Sequence, residues 1–292
     1  KAESIADLIA SETEIQRQQA LKIMFGKSSD KFNSLRDRLL KILSKVEAKI
    51  DFPEDDLPGD VLNNIHSETK FIREEIEKIL NDQKVGEIIR EGFKIAIVGP
   101  TNVGKSSLLN YLSRREVAIV SEIAGTTRDV IEVHLNLDGY PIVLSDTAGI
   151  RESEDEIEKK VIKLALNRAE NADLSIILIE PKTVDFTHFL SDILSKKAIL
   201  VINKMDLGFD QIAKELKKYN PICISIKEEK NLDQLVNAIK KKLKNKFNLS
   251  GDIFITRERH RVELENCVEH LISFENKNSV EDFDKAAEDL RL

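Results

Sequence analysis

Residues 99–106 read Gly-Pro-Thr-Asn-Val-Gly-Lys-Ser. They stand between an apolar run, Phe93-Lys-Ile-Ala-Ile-Val98, and a stretch of helical periodicity, Ser107-Leu-Leu-Asn-Tyr-Leu112. This is the G-x-x-x-x-G-K-[ST] pattern in the strand–loop–helix setting that it requires. Such a turn constrains the fold because it must join a buried strand to the start of a helix. The glycines let backbone N–H groups curl around a polyphosphate, and the helix start adds the positive end of its dipole. Asn102, Val103, Gly104, Lys105, Ser106 and Ser107 form the expected cradle. Lys105 would reach the β- and γ-phosphates, and Ser106 would ligate Mg²⁺. The plain alternative is a tight glycine turn that binds nothing.

Four further segments argue against that alternative by their order. Gly125-Thr-Thr-Arg-Asp129 lies between the first helix and the second strand, where a switch loop carries a threonine to Mg²⁺. Asp146-Thr147-Ala148-Gly149 follows the apolar run Ile142-Val-Leu144. There a carboxylate can hold the hydration shell of Mg²⁺, and the Gly149 amide can meet the γ-phosphate. Asn203-Lys204-Met205-Asp206 follows Ala198-Ile-Leu-Val-Ile202. Asp206 can accept two hydrogen bonds from the N1–H and N2–H₂ edge of guanine, a pairing that adenine does not offer. A site built on such pairing discriminates about 10⁴-fold or more, because the wrong base leaves buried groups unpaired. Ser225-Ile226-Lys227 ends the next strand, Pro221-Ile-Cys-Ile224, where backbone amides can contact the guanine O6. Five segments in this order, each at a strand end, point to GTP with Mg²⁺.

The residue after Gly149 is Ile150, where Ras-like enzymes place a glutamine that orients the attacking water. Hydrolysis therefore needs another carboxylate and another positive charge. Glu152, Glu154, Asp155, Glu156 and Glu158 all follow, and the residues alone do not choose among them. An acidic start to a solvated helix, favourable at the dipole, explains most of them equally well.

The rest of the chain divides around this region. Residues 1–90 carry almost no strand signal. Apolar residues recur there at helical spacing: Ile5, Leu8 and Ile9; Leu35, Leu39, Leu40, Leu43 and Val46; Ile65, Phe71, Ile72, Ile76 and Ile79. A Pro-bearing break at 51–59 separates two of these helices. Short β-rich runs at 93–98, 130–137, 141–145, 174–180, 198–202 and 221–226 then alternate with helical stretches. That is the pattern of a doubly wound α/β sheet with ligands at the strand C-termini. Residues 254–274 and 279–291 read as helical again. The expected architecture is an α/β P-loop GTPase domain at 91–248, a mixed, mostly parallel six-stranded sheet with helices on both faces. It is inserted into an all-α domain formed by 1–90 and 249–292.

The combination resembles a specific family, the tRNA-modification GTPases called MnmE or TrmE. The resemblance is carried by Gly125-Thr-Thr-Arg-Asp129, by Asp146-Thr-Ala-Gly-Ile-Arg151 with its acidic tail, and by Ala2-Glu-Ser-Ile-Ala-Asp-Leu-Ile9. The inserted arrangement of the domains adds to it. It implies a GTPase activated by K⁺-dependent dimerisation of its G domains. By position, Asn102 would supply a side-chain ligand to K⁺, and the loop Ser121-Glu122-Ile123-Ala124-Gly125-Thr126 would complete that site through Ser121, Ile123 and Thr126. Thr127 and Ser106 would hold Mg²⁺, and the family's catalytic glutamate falls on Glu158. The implied partners are GTP and GDP, a second copy of the chain, the FAD-dependent subunit MnmG (GidA), and tRNA through the complex. The implied process is C5 carboxymethylaminomethyl modification of the wobble uridine. The family's folate-binding amino-terminal domain and its Cys-x-Gly-Lys ending are not in this sequence; Cys267, in Asn-Cys-Val-Glu, reads as a packed helix residue. The chain begins at Lys1 and stops at Arg291-Leu292 inside a helical pattern, which reads as part of something longer.

Composition bounds the alternatives. The net charge of −7 argues against an extended basic surface of the kind that grips a phosphate backbone. Lys240-Lys-Lys-Leu-Lys-Asn-Lys246 reads as the solvated face of an amphipathic helix whose Leu235, Ile239 and Leu243 point inward. This weakens the rival reading, a ribosome- or RNA-associated switch acting as a binding module. With two cysteines in dissimilar settings there is no disulfide framework, so a reducing cytoplasm is expected. No apolar run approaches the ~18–20 residues that span a bilayer.

Overall fold

A computed structural model describes residues 1–51, 60–82, 84–115, 117–119, 131–146, 171–181, 198–207, 214–217, 219–247, 253–277 and 283–291. Among these the helices are α1 (Ala2–Ile9), α2 (Glu14–Met24), α3 (Lys27–Asp51), α4 (Asp60–Leu80), α5 (Val85–Glu91), α6 (Lys105–Arg115), α7 (Lys214–Lys217), α8 (Leu232–Phe247), α9 (Glu258–Glu275) and α10 (Phe283–Arg291). The strands are β1 (Phe93–Val98), β2 (Val117–Ile119), β3 (Ile131–Leu137), β4 (Tyr140–Asp146), β5 (Leu174–Ile179), β6 (Ala198–Ile202) and β7 (Ile222–Cys223). Two compact units emerge. One comprises Lys1–Ser11, Arg17–Arg90 and Leu249–Leu292; the other comprises Glu12–Gln16 and Glu91–Asn248.

The second unit is built on one sheet in the order β2-β3-β4-β1-β5-β6-β7. β1 lies between β4 and β5, parallel to both, and β5, β6 and β7 continue in parallel. β2, β3 and β4 pair antiparallel. Central parallel strands are covered on both faces and so read as unbroken apolar runs. β5 is buried along its whole length, and β1 at every residue but Lys94. The α/β architecture is as the sequence indicates, with one extra strand. β2, three residues long at the sheet edge, is too short to declare itself by periodicity. β7 is shorter than the run 221–226, because Ser225 turns back to form a bridge with Lys230. On α8, Leu235, Ile239 and Leu243 are all buried, as the amphipathic reading requires.

The first unit is helical apart from short connections among its described residues. Leu35, Ile42 and Val46 of α3 face Ile65, Ile72, Ile76 and Ile79 of α4, with Leu271 and Phe274 of α9 and Ala286 and Ala287 of α10. Each fully buried Ile or Leu contributes about 1.5–3 kcal/mol by leaving water. Thr69 interrupts the α4 stripe without penalty, because its hydroxyl donates to the Ile65 carbonyl at 2.9 Å. Not every apolar residue in the sequence stripes is inside: Ile9, Leu40 and Phe71 are exposed. Phe71 instead lies beneath the Arg38 guanidinium, 5.2 Å from ring centroid to Cζ. Two close contacts fix α5. A Cβ on Gly86 would stand 1.9 Å from the Ile255 carbonyl oxygen, so this helix approaches the 253–257 segment as no larger residue allows. The buried Arg261 guanidinium donates to Glu87, Asp82 and the Leu80 carbonyl.

Glu12–Gln16 departs from the expected boundary, since these residues belong with the sheet unit. They form a capping box at the start of α2. The Gln16 Oε1 accepts from the Thr13 amide at 3.0 Å, and the Thr13 hydroxyl accepts from the Gln16 amide at 3.4 Å. The Glu12 carboxylate lies 3.3 Å from Nδ1 of His134 on β3. No helix among the described residues is long and apolar enough to cross a membrane.

Candidate nucleotide-binding site

The site gathers at the C-terminal edge of β1, β5 and β6. β1 ends at Val98 and the chain turns at Gly99, whose hypothetical Cβ would stand 2.1 Å from the Leu178 carbonyl oxygen on β5. Glycine is required there by the close approach of the two strands. Asn102 and Gly104 both adopt left-handed backbone, with φ of 60° and 104°. A left-handed asparagine is tolerated but uncommon, and such residues concentrate at functional sites. The Leu108 amide donates to the Gly104 carbonyl at 2.9 Å, which closes the first turn of α6 and leaves the amides before it directed into the loop. The Lys105 side chain folds across the loop, with Nζ donating to the Gly99 and Pro100 carbonyls at 3.0 and 2.6 Å. Val103 is fully buried, while Asn102, Ser106 and Ser107 are exposed.

Asn203 ties this loop to the rest of the site. Its amide is buried, Nδ2 donating to the Val103 carbonyl at 2.8 Å and Oδ1 accepting from the Ile226 amide at 3.1 Å. One side chain thus joins the 99–106 loop to the 225–227 turn. The Asn203 Nδ2 also lies 2.6 Å from where a Cβ of Gly104 would be, which explains the second glycine. The Asn203 amide donates to the Ile179 carbonyl and the Met205 amide to the Ile224 carbonyl, so the Asn203–Asp206 segment is stitched to β5 and to the residue that follows β7. Met205 is buried beneath it. Asp206 receives a hydrogen bond from the buried Ser225 hydroxyl at 2.8 Å on Oδ1. That bond orients the carboxylate and leaves Oδ2 to meet a donor edge. Lys204 has φ of 62°, and its ammonium pairs with Glu180, the residue that follows β5. Burial pushes the neighbouring Cys223 thiol above its ordinary range, so it is not an activated nucleophile.

The 99–106 loop, Asn203–Asp206 and the 225–227 turn therefore come together at one edge of the sheet. Asp146 is the last residue of β4, opposite Ile97 of β1 and at the same edge. Thr147, Ala148, Gly149, Ile150 and Glu158, and the loop from Ser121 to Thr127, lie outside the described residues. Glu180 is the residue that motif order does not point to; its signal is an acidic residue at the end of an apolar strand.

A family model, the MnmE helical domain, matches residues 1–292. The chain belongs to the MnmE family. Two MnmE relatives extend the match. The tRNA modification GTPase MnmE of Pelagibacter ubique is 65% identical over 292 residues, and that of Rickettsia akari 43% over 295. Each match covers all of this chain, which spans 66% of the length of those MnmE relatives. Among solved structures, an Aquifex aeolicus Era variant bound to GDP and AlF₄⁻ is 32% identical, with a TM-score of 0.38, covering 51% of this chain and 56% of that one. The G domain of the T. maritima FeoB iron transporter is 28% identical, with a TM-score of 0.39, covering 51% of this chain and 98% of that one.

Proposed function

We propose that this chain is a K⁺-stimulated, Mg²⁺-dependent GTPase that works in tRNA wobble-uridine modification. One observation carries the guanine assignment: the Ser225 hydroxyl fixes one oxygen of Asp206 while Asn203 locks that segment to the 99–106 loop. A base-reading carboxylate and a phosphate cradle are thereby held as one rigid piece. The residues available suit the implied ions, which take hydroxyl and amide oxygens. Ser106, with Thr127, would hold Mg²⁺, and Asn102, with Ser121, Ile123 and Thr126, would hold K⁺. When bound, these cations neutralise charge that develops on the β- and γ-phosphate oxygens, as an arginine finger does elsewhere.

The protein's own groups do the rest. Amides of the loop and the α6 start take the phosphate oxygens, and Lys105 leaves its carbonyl partners to reach the β,γ bridge. Asp206 selects guanine by leaving its carboxylate unpaired against any other base. Glu158 takes the role of orienting water through a bridging molecule, since Ile150 cannot. Homodimerisation through the G domains, the FAD-dependent MnmG partner, delivery to tRNA and a folate one-carbon donor in the longer relatives complete the reading.

Hydrolysis of GTP is measured with Mg²⁺ in equimolar KCl and NaCl. Faster turnover in KCl is expected, and equal rates refute the potassium assignment. Glu158→Ala is expected to retain GDP affinity and lose turnover; unchanged turnover removes Glu158 from the mechanism.

A further inference from the structure

We infer that Glu180 is a positioning residue for the guanine base, acting through Lys204; this rests on the guanine-nucleotide reading above. Lys204 and Asp206 sit two residues apart in the same segment, and Asp206 is the base-reading group. Lys204 is held in left-handed backbone at φ 62°, a conformation that a residue with a Cβ adopts only when its surroundings demand it. From there its side chain runs to the end of β5, where the Glu180 carboxylate takes the ammonium. The end of β5 is also where Gly99 begins the phosphate loop, since Leu178 is the strand residue that Gly99 abuts. The stem of Lys204 thus spans from the base-reading segment to the end of β5. In this proposal its apolar methylenes form a wall for the base, while the charged end is tethered at the far side.

The position of Glu180 is otherwise unfavourable. A carboxylate at the rim of a site for a polyphosphate repels the ligand unless its charge is matched. Lys204 matches it, and the two charges cancel at the rim. Glu180 in turn removes the freedom of a long lysine side chain before the nucleotide arrives, so less is lost on binding. Both side chains are 34% exposed, so the pair is screened and its effect on affinity is modest.

The test is release of GDP carrying a methylanthraniloyl fluorophore from the full chain and from three variants: E180Q, K204A and E180Q/K204A. E180Q is expected to release GDP about threefold to tenfold faster, with the same factor on the KM for GTP and the same kcat at saturation. In the K204A background, E180Q has a smaller effect than in the unsubstituted chain, because the part that runs through Lys204 is already lost. E180D, which keeps the charge, restores part of the wild-type rate. A release rate unchanged in E180Q while the unsubstituted chain binds GDP tightly overturns this inference alone, as do fully additive losses in the double variant. Failure of the unsubstituted chain to bind GDP overturns the guanine-nucleotide reading and this inference with it.

Discussion

Replacing Asn203 with alanine tests whether the site is one preassembled piece. Asn203 is 4% exposed and makes two bonds across the sheet edge, to the Val103 carbonyl and from the Ile226 amide. Each intramolecular hydrogen bond is worth about 1 kcal/mol net, and each buried group left without a partner costs about 1–3 kcal/mol more. Val103 is fully buried, so its carbonyl cannot be rehydrated; Ile226 is only half-buried, so its amide recovers part of the loss. The sum is about 3–5 kcal/mol taken from the sheet unit. For a unit of roughly 150–250 residues that is a fall of about 6–20 °C in its melting midpoint. Differential scanning calorimetry of the full chain without nucleotide measures it. Asn203→Asp sharpens the test. It keeps the acceptor for the Ile226 amide but turns the donor facing the Val103 carbonyl into an acceptor, so it must be at least as damaging as alanine. A midpoint within about 1 °C of wild type for Asn203→Ala, or a wild-type midpoint for Asn203→Asp, refutes the argument.

Gly99→Ala drives a methyl group to 2.1 Å from a backbone oxygen of β5, so the loop must move. GDP affinity by calorimetric titration is expected to fall about 100-fold or more, and wild-type affinity refutes the packing account. Arg261→Met leaves the Glu87 and Asp82 carboxylates facing each other in the helical unit, where the Arg261 side chain is 6% exposed. The expected cost is about 3–5 kcal/mol in a denaturant titration that follows the helical transition; an unshifted midpoint removes the network from the stability account. The Lys31 ammonium, and secondly Arg38, hold the Glu75 carboxyl below its ordinary value of 4.5. A depressed carboxyl stabilises the fold above pH 4.5, and that contribution is lost as pH falls through its folded value. Glu75→Gln should therefore lower the urea midpoint at neutral pH and converge with wild type in acid; a constant gap at all pH values contradicts this.

Much of this molecule is legible in its residues because the informative groups sit at strand ends in a fixed order. Gly99, Gly104, Asn203 and Asp206 each announce themselves by residue type and by the apolar run that precedes them. What the pattern does not carry is mutual geometry. Nothing in the sequence says that Asn203 bonds to Val103, 100 residues earlier, or that Ser225 rather than water orients Asp206. Glu180 does not stand out in the sequence, because an acidic residue after a strand is common and its meaning depends on where Lys204 points. In the helical unit, periodicity identifies the helices but overcounts their buried face. Phe71 is adjacent to Ile72 and reads as core, yet Ile72 alone faces inward, because residues one apart on a helix lie about 100° from each other. Proximity along the chain places Glu12–Gln16 with the helices, while the Glu12 carboxylate meets His134 on β3.

The helical unit is assembled from pieces far apart in synthesis. Arg73 on α4 meets Glu275 on α9, 202 residues later. At about 5–20 residues per second, that contact waits on the order of 10–40 s after Arg73 is made. For that interval Ile65, Ile72, Ile76 and Ile79 lack their α9 and α10 partners, and Glu87 and Asp82 lack Arg261. The sheet, by contrast, has every described strand in hand once Cys223 is joined. On the ribosome the sheet therefore has its described strands available before the helical unit has all of its pieces. The half-made bundle of α3 and α4 is the species that holdase chaperones would find exposed.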